Sequence, residues 1–173
     1  MSVVIGSIFG TIVLSVTGLL FFNLNMESNA SWSRALDERF ERMGKRLGTQ
    51  IFITSTTISV QGAVVTATVQ NVGNVSVGDF EDMDVLVAYT DINDTGVLDR
   101  LKYLNGATPS ANEWGVTSIN PDVLDPGILN PGEKATLTLI LWPAVKPETS
   151  GAVLLVTGNG TRSSTVFTYT NNS

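Results

Sequence analysis

The chain has 173 residues, a formal net charge of −6, and neither cysteine nor histidine. An acidic balance argues against a nucleic-acid partner, because phosphate binding needs a basic face. The two missing residue types remove disulfides, thiol chemistry, the commonest general base and most zinc or iron sites, so the expectation is a protein that is not an enzyme and carries no resident cofactor.

Charge is absent from Met1 to Met26, dense in "RALDERFERMGKR" and sparse in the Thr/Val/Asn/Gly-rich remainder. These shifts predict two regions. Residues 1–48 read as a long N-terminal helix, apolar over 1–26 and amphipathic over 30–48. Residues 49–173 read as a β-sandwich domain. The expected fold class is therefore α+β, a long hydrophobic N-terminal α-helix followed by an antiparallel immunoglobulin-like β-sandwich.

Val3 to Phe22 matches the ~20 apolar residues with which a helix crosses a bilayer. A secretory signal carries Lys or Arg before its apolar core, whereas the first basic residue here is Arg34, on the other side. Two readings stand: a plain anchor, or a mature terminus from which a basic leader has been cut. Ser2, Gly6 and Gly10 are spaced by four, and Ser7, Thr11 and Ser15 form a second stripe with Gly18 one turn on. Small residues at that interval let helix backbones approach, so these seven are the expected assembly residues. Two stripes suit packing against several neighbours. The bland alternative is the general richness of membrane helices in glycine.

In the charged run, Leu36, Phe40, Met43 and Leu47 form an apolar helical stripe, with Gly44 weakening it and Gly48 placed to end it. From Gln50 the period changes. "IFITSTTISV", "AVVTATVQ", "MDVLVAY", "KATLTLILW", "GAVLLVT" and "STVFTYT" alternate or run β-branched, and about seven short strands suggest a sandwich. Trp114 and Trp142 read as packing or rim residues.

Three polar constellations stand out. In "DINDTGVLD", Asp91, Asn93, Thr95 and Asp99 occupy alternate positions of a calcium-loop pattern, with Gly96 at its sharp turn, so calcium is the candidate ligand. The pattern fails at Lys102, where a bidentate Glu belongs, and an Asx-rich turn is the competing reading. Asn29, Asn74, Asn93, Asn159 and Asn171 each open an N-x-S/T sequon, the mark of a glycosylated extracytoplasmic surface. Asp79, Glu81, Asp82 and Asp84 form an acidic patch, readable as a cation or basic-partner site or as a solvated strand approach.

The uncharged segment Met1–Phe22, the charged continuation and a Thr/Val/Asn-rich sandwich containing "VQNVGNVSVGDFEDMDVLVAY" and "DPGILNPGE" together resemble the archaellins. These are the type IV pilin-like subunits of the archaeal swimming filament. Ile5 stands where type IV pilins usually carry glutamate, which favours archaellins over bacterial pilins. The resemblance implies a leader removed by a dedicated peptidase and a membrane-embedded precursor. It further implies a homo-polymer whose helices form the core of an extracellular motility filament. The alternative is a minor archaellum or stator protein with one membrane helix, binding the surface layer. An adhesive pilus subunit and a membrane-tethered carbohydrate-binding or hydrolytic sandwich are further rivals.

Overall fold

The computed structural model describes residues 43–44, 48–59, 61–106 and 108–170. The strands lie in a compact unit, Gly44–Ser173. They are β1 (Ile51–Ile58), β2 (Val64–Asn71), β3 (Asp84–Thr90), β4 (Gly96–Tyr103), β5 (Glu113–Asn120), β6 (Lys134–Ile140), β7 (Thr149–Val156) and β8 (Arg162–Tyr169).

Alternation of buried and outward residues dictates most of these strands. On β2, Val65, Ala67 and Val69 are buried, while Thr66 and Thr68 point outward. On β6, Ala135, Leu137 and Leu139 are buried between half-buried threonines. Val85, Val87 and Tyr89 of β3 and Val153 and Leu155 of β7 supply the facing layer. A period of two places all of these side chains on inner faces, which is what lets two layers share one core.

The strand order is β1-β2-β6-β5-β4-β3-β7-β8. Two four-stranded antiparallel layers, β1-β2-β6-β5 and β4-β3-β7-β8, are joined by a short parallel contact, Lys102↔Glu113 and Tyr103↔Trp114. At the other edge, β1 and β8 sit beside one another, so the sheet is nearly closed.

The α+β expectation is corrected by this arrangement. Among the described residues no helix reaches seven residues: there is a 3-10 turn at Phe80–Asp82 and helical backbone at Met43, Gly44 and Gly48. No helix of the described residues is long and apolar enough to cross a membrane. The described fold is all-β, a single nearly closed eight-stranded sheet in place of a helix plus two separate antiparallel sheets. Two physical causes act at the boundary. Gly44 and Gly48 are poor helix formers. The Gly48 carbonyl accepts bonds from the Asn74 and Val75 amides at 2.9 and 3.2 Å, which commits it to the β domain. The rest of the predicted helix, with its assembly residues Ser2, Gly6, Ser7, Gly10, Thr11, Ser15 and Gly18, lies outside the described residues.

A buried polar knot fixes the long loops. Asn71, fully buried, donates from Nδ2 to the Val75 and Leu129 carbonyls at 2.9 and 3.0 Å and accepts from the Gly73 amide at 3.0 Å. Buried Glu133 accepts from the Asn130 amide at 2.8 Å, and the Asn130 amide oxygen accepts from Ser76 Oγ at 2.9 Å. "NVGNVSVGD" and "ILNPGE" are thus one structural unit, because buried polar groups persist only when they are satisfied.

Candidate interaction surface

The aspartate-rich segment forms the β3–β4 hairpin. Asp91 Oδ1 accepts from the Asn93 and Thr95 amides, both at 2.8 Å, and Oδ2 accepts from Asn93 Nδ2 at 3.3 Å. Asp94 takes the left-handed conformation that closes the turn, with φ of 64°, and pairs with Lys146. Asp91, Asn93 and Thr95 therefore come together as an Asx turn. Asp99 does not join them: it lies within β4, opposite Val87. Among the described residues no group of three Asp or Glu side chains is placed to hold a metal ion.

The Thr95 amide, opposed by burial and helped by the Asn93 amide, holds the Asp91 carboxyl below the usual carboxylate range. A depressed folded-state pKa contributes stability above the unfolded value of ~4, and that stability is lost as pH falls through the folded value. Asp91→Asn is accordingly expected to flatten the acid limb of the stability curve, which urea midpoints measured from pH 7 downward will show. Tyr89, on the same hairpin, is pushed up to about 12 by burial and by the Asp99 and Asp91 carboxylates. Its hydroxyl donates to the Pro143 carbonyl at 2.8 Å.

Of the sequons, Asn74 and Asn93 are exposed, and Asn29 and Asn171 lie outside the described residues. Asn159 is half-buried, and its Nδ2 donates to Thr49 Oγ1 at 2.7 Å. In the acidic patch, Asp79, Glu81 and Asp82 are exposed around the 3-10 turn, and Asp84 pairs with Arg100. Trp114 is fully buried in the core, whereas Trp142 is 66% exposed.

The outer faces of the two layers differ in chemistry. On β1-β2-β6-β5 the register aligns Thr68, Thr136 and Ser118, and Thr66 beside Thr138, with Thr117 and Thr138 hydroxyls 2.7 Å apart. That face is dominated by hydroxyls, with exposed Phe52 opposite Gln70 at one end. On β4-β3-β7-β8 the register aligns Leu98, Ala88, Ala152 and Val166 in one row and Arg100, Leu86, Leu154 and Ser164 in the next. Leu98 is 77% exposed and Val166 65%. Arg100, Lys102 and Arg162 rim this face, three of the five cations between Thr49 and Ser173. Strand alternation alone does not require apolar residues on a solvated face. Burying such side chains yields ~25 cal/mol per Å² and desolvates fewer hydroxyls, so this face gains more from docking than the threonine face does. Sequence reasoning missed it, although "MDVLVAY" and "GAVLLVT" carry its signal as runs apolar on both faces.

The fold and this surface define an immunoglobulin-like β domain with one apolar, cation-rimmed sheet face. The chain belongs to the conserved flagellar protein F family: the model of that family's immunoglobulin-like domain matches residues 47–167. It is an archaellum-related protein. No curated protein matches it. Among solved structures it is similar to the archaellum periplasmic stator protein FlaG from Sulfolobus acidocaldarius, with 24% identity and a TM-score of 0.52, over 69% of this chain and 99% of that one. Similarity to the FlaF–FlaG stator complex of the same organism has 25% identity and a TM-score of 0.51, over 69% of this chain and 89% of that one. The archaeal flagellum of Methanospirillum hungatei strain JF1 shares the fold at 15% identity and a TM-score of 0.65, over 98% and 94% of the two chains.

Proposed function

We propose that the chain is a stator-type component of the archaellum and not the subunit of its filament. The apolar segment 3–22 tethers it to the membrane, and the outer face of β4-β3-β7-β8 grips a protein partner outside. The surface layer is the stationary structure within reach there. The observation that carries this reading is the exposed row Leu98–Ala88–Ala152–Val166 on a domain of the flagellar protein F family. In support, the similar stator structures share 24–25% identity with the chain. The metal and glycan candidates are not needed for it.

Filaments sheared from cells and analysed by mass spectrometry test the choice. The chain is expected to remain with the cell envelope and to be absent from the sheared filament. Its recovery as the main constituent of the filament would overturn the proposal.

A further inference from the structure

Strands β1 and β8 end the strand order, and no backbone ladder pairs them. Side chains close the gap between them. Asn159 Nδ2 donates to Thr49 Oγ1 at 2.7 Å, and Thr161 Oγ1 donates to the Thr49 carbonyl at 3.2 Å. Further along, the Ile53 amide donates to Ser163 Oγ at 3.0 Å and Thr56 Oγ1 donates to the Val166 carbonyl at 3.4 Å. Residue numbers rise together on the two sides, so the strands run parallel.

Direction decides how such bonds fail. When two parallel strands are pulled from the start of one and the end of the other, the bonds between them are sheared together. A zipper loads them one at a time. Force entering through the residues before Gly48 reaches β1 first. The docking face lies on the layer that contains β8. Besides their shared core, the layers meet in the two-residue backbone contact of β4 with β5, at the far edge. The start of β1 is also held from its β2 side: the Gln50 carbonyl accepts from the Val72 and Gly73 amides at 2.8 and 3.0 Å. A Cβ on Gly73 would stand 2.3 Å from the Gly48 carbonyl oxygen, so only glycine allows this close approach.

We propose that the β1–β8 seam, fastened by Thr49, Thr56, Asn159, Thr161 and Ser163, is a clamp that carries tension from the N-terminal connection into the layer bearing the apolar face. Its use in the cell rests on the docking proposed above, whereas the clamp itself is a mechanical property of the domain and is tested without any partner.

The chain has no cysteine. Gly44→Cys and Thr170→Cys, both at exposed positions, therefore provide unique handles for optical-trap pulling of the full-length protein. The triple variant Asn159→Ala, Thr161→Val, Ser163→Ala is compared with Leu137→Val or Leu137→Ala, whichever matches its loss of urea stability. Under equal constant force the seam variant is expected to unfold about tenfold faster than the matched core variant, a difference of ~1.4 kcal/mol at the barrier, because the bonds it lacks are loaded there together. Equal unfolding rates would overturn the proposal. Should the triple variant not fold, Ser163→Ala alone is read in the same way, against a core variant matched to it in urea stability.

Discussion

Replacing Trp114 with alanine is expected to destabilise the β domain by about 3–5 kcal/mol, whereas phenylalanine is expected to cost only ~1–2 kcal/mol. Trp114 is fully buried. Its ring lies 4.8 Å from that of Tyr103 at 51°, and Tyr103 lies 6.5 Å from Phe80 at 32°. The Trp114 carbonyl accepts from the Leu104 amide at 2.8 Å. This residue therefore fills the core where β4 meets β5, at one of the two edges where the layers join. Truncation removes apolar contact and leaves a cavity that a rigid sheet cannot collapse to fill. The indole Nε1 is the one buried side-chain nitrogen or oxygen without a partner among the described residues. Phenylalanine deletes that unpaired donor while keeping a ring against Tyr103, and relief of the donor's desolvation offsets part of the lost volume. Urea unfolding followed by circular dichroism measures both variants. At the low end of the ~5–15 kcal/mol that holds domains folded, the alanine variant stands near the edge of folding.

Six of the eight strands are legible in the sequence, because β1, β2, β3, β6, β7 and β8 alternate or run apolar between turn residues. The other two hide for a physical reason: each borders the junction of the layers, where only two residues pair in parallel. "GVLDRLKY" of β4 carries Asp99, Arg100 and Lys102, the kind of charge that keeps an edge from pairing with other chains, and those charges hide its period of two. "EWGVTSIN" of β5 is broken by a register shift between Val116 and Ser118. The calcium-loop pattern ran from the hairpin into β4, so oxygen spacing alone could not separate an Asx turn from a strand. The apolar face needs cross-strand register, which one strand's sequence does not contain. The β1–β8 seam is still less visible, being built of Thr, Ser and Asn side chains that composition assigns to any surface. Where the expected helix meets the β domain, apolar length in the sequence outweighed two glycines and a Gly48 carbonyl claimed by the Asn71–Val75 loop.

A second large effect is expected at the apolar face. Leu98→Asp with Val166→Lys places charges at both ends of the row that alignment across four strands creates. Both side chains are mostly solvated in the free domain, so the fold is expected to lose no more than ~0.5 kcal/mol at each site. A docked partner would instead have to bury two unpaired charges, which costs several kcal/mol and reduces binding by a hundredfold or more, at ~1.4 kcal/mol per tenfold. The same pair of changes on the threonine face, Thr68→Asp with Thr138→Lys, is expected to leave function intact.

Swimming of cells whose sole copy of the protein carries Leu98→Asp and Val166→Lys is the most direct measurement. Cells holding the folded apolar-face variant at normal abundance are predicted not to swim, while cells holding the threonine-face variant swim as the parent does. Parental swimming by the apolar-face variant would contradict docking through β4-β3-β7-β8.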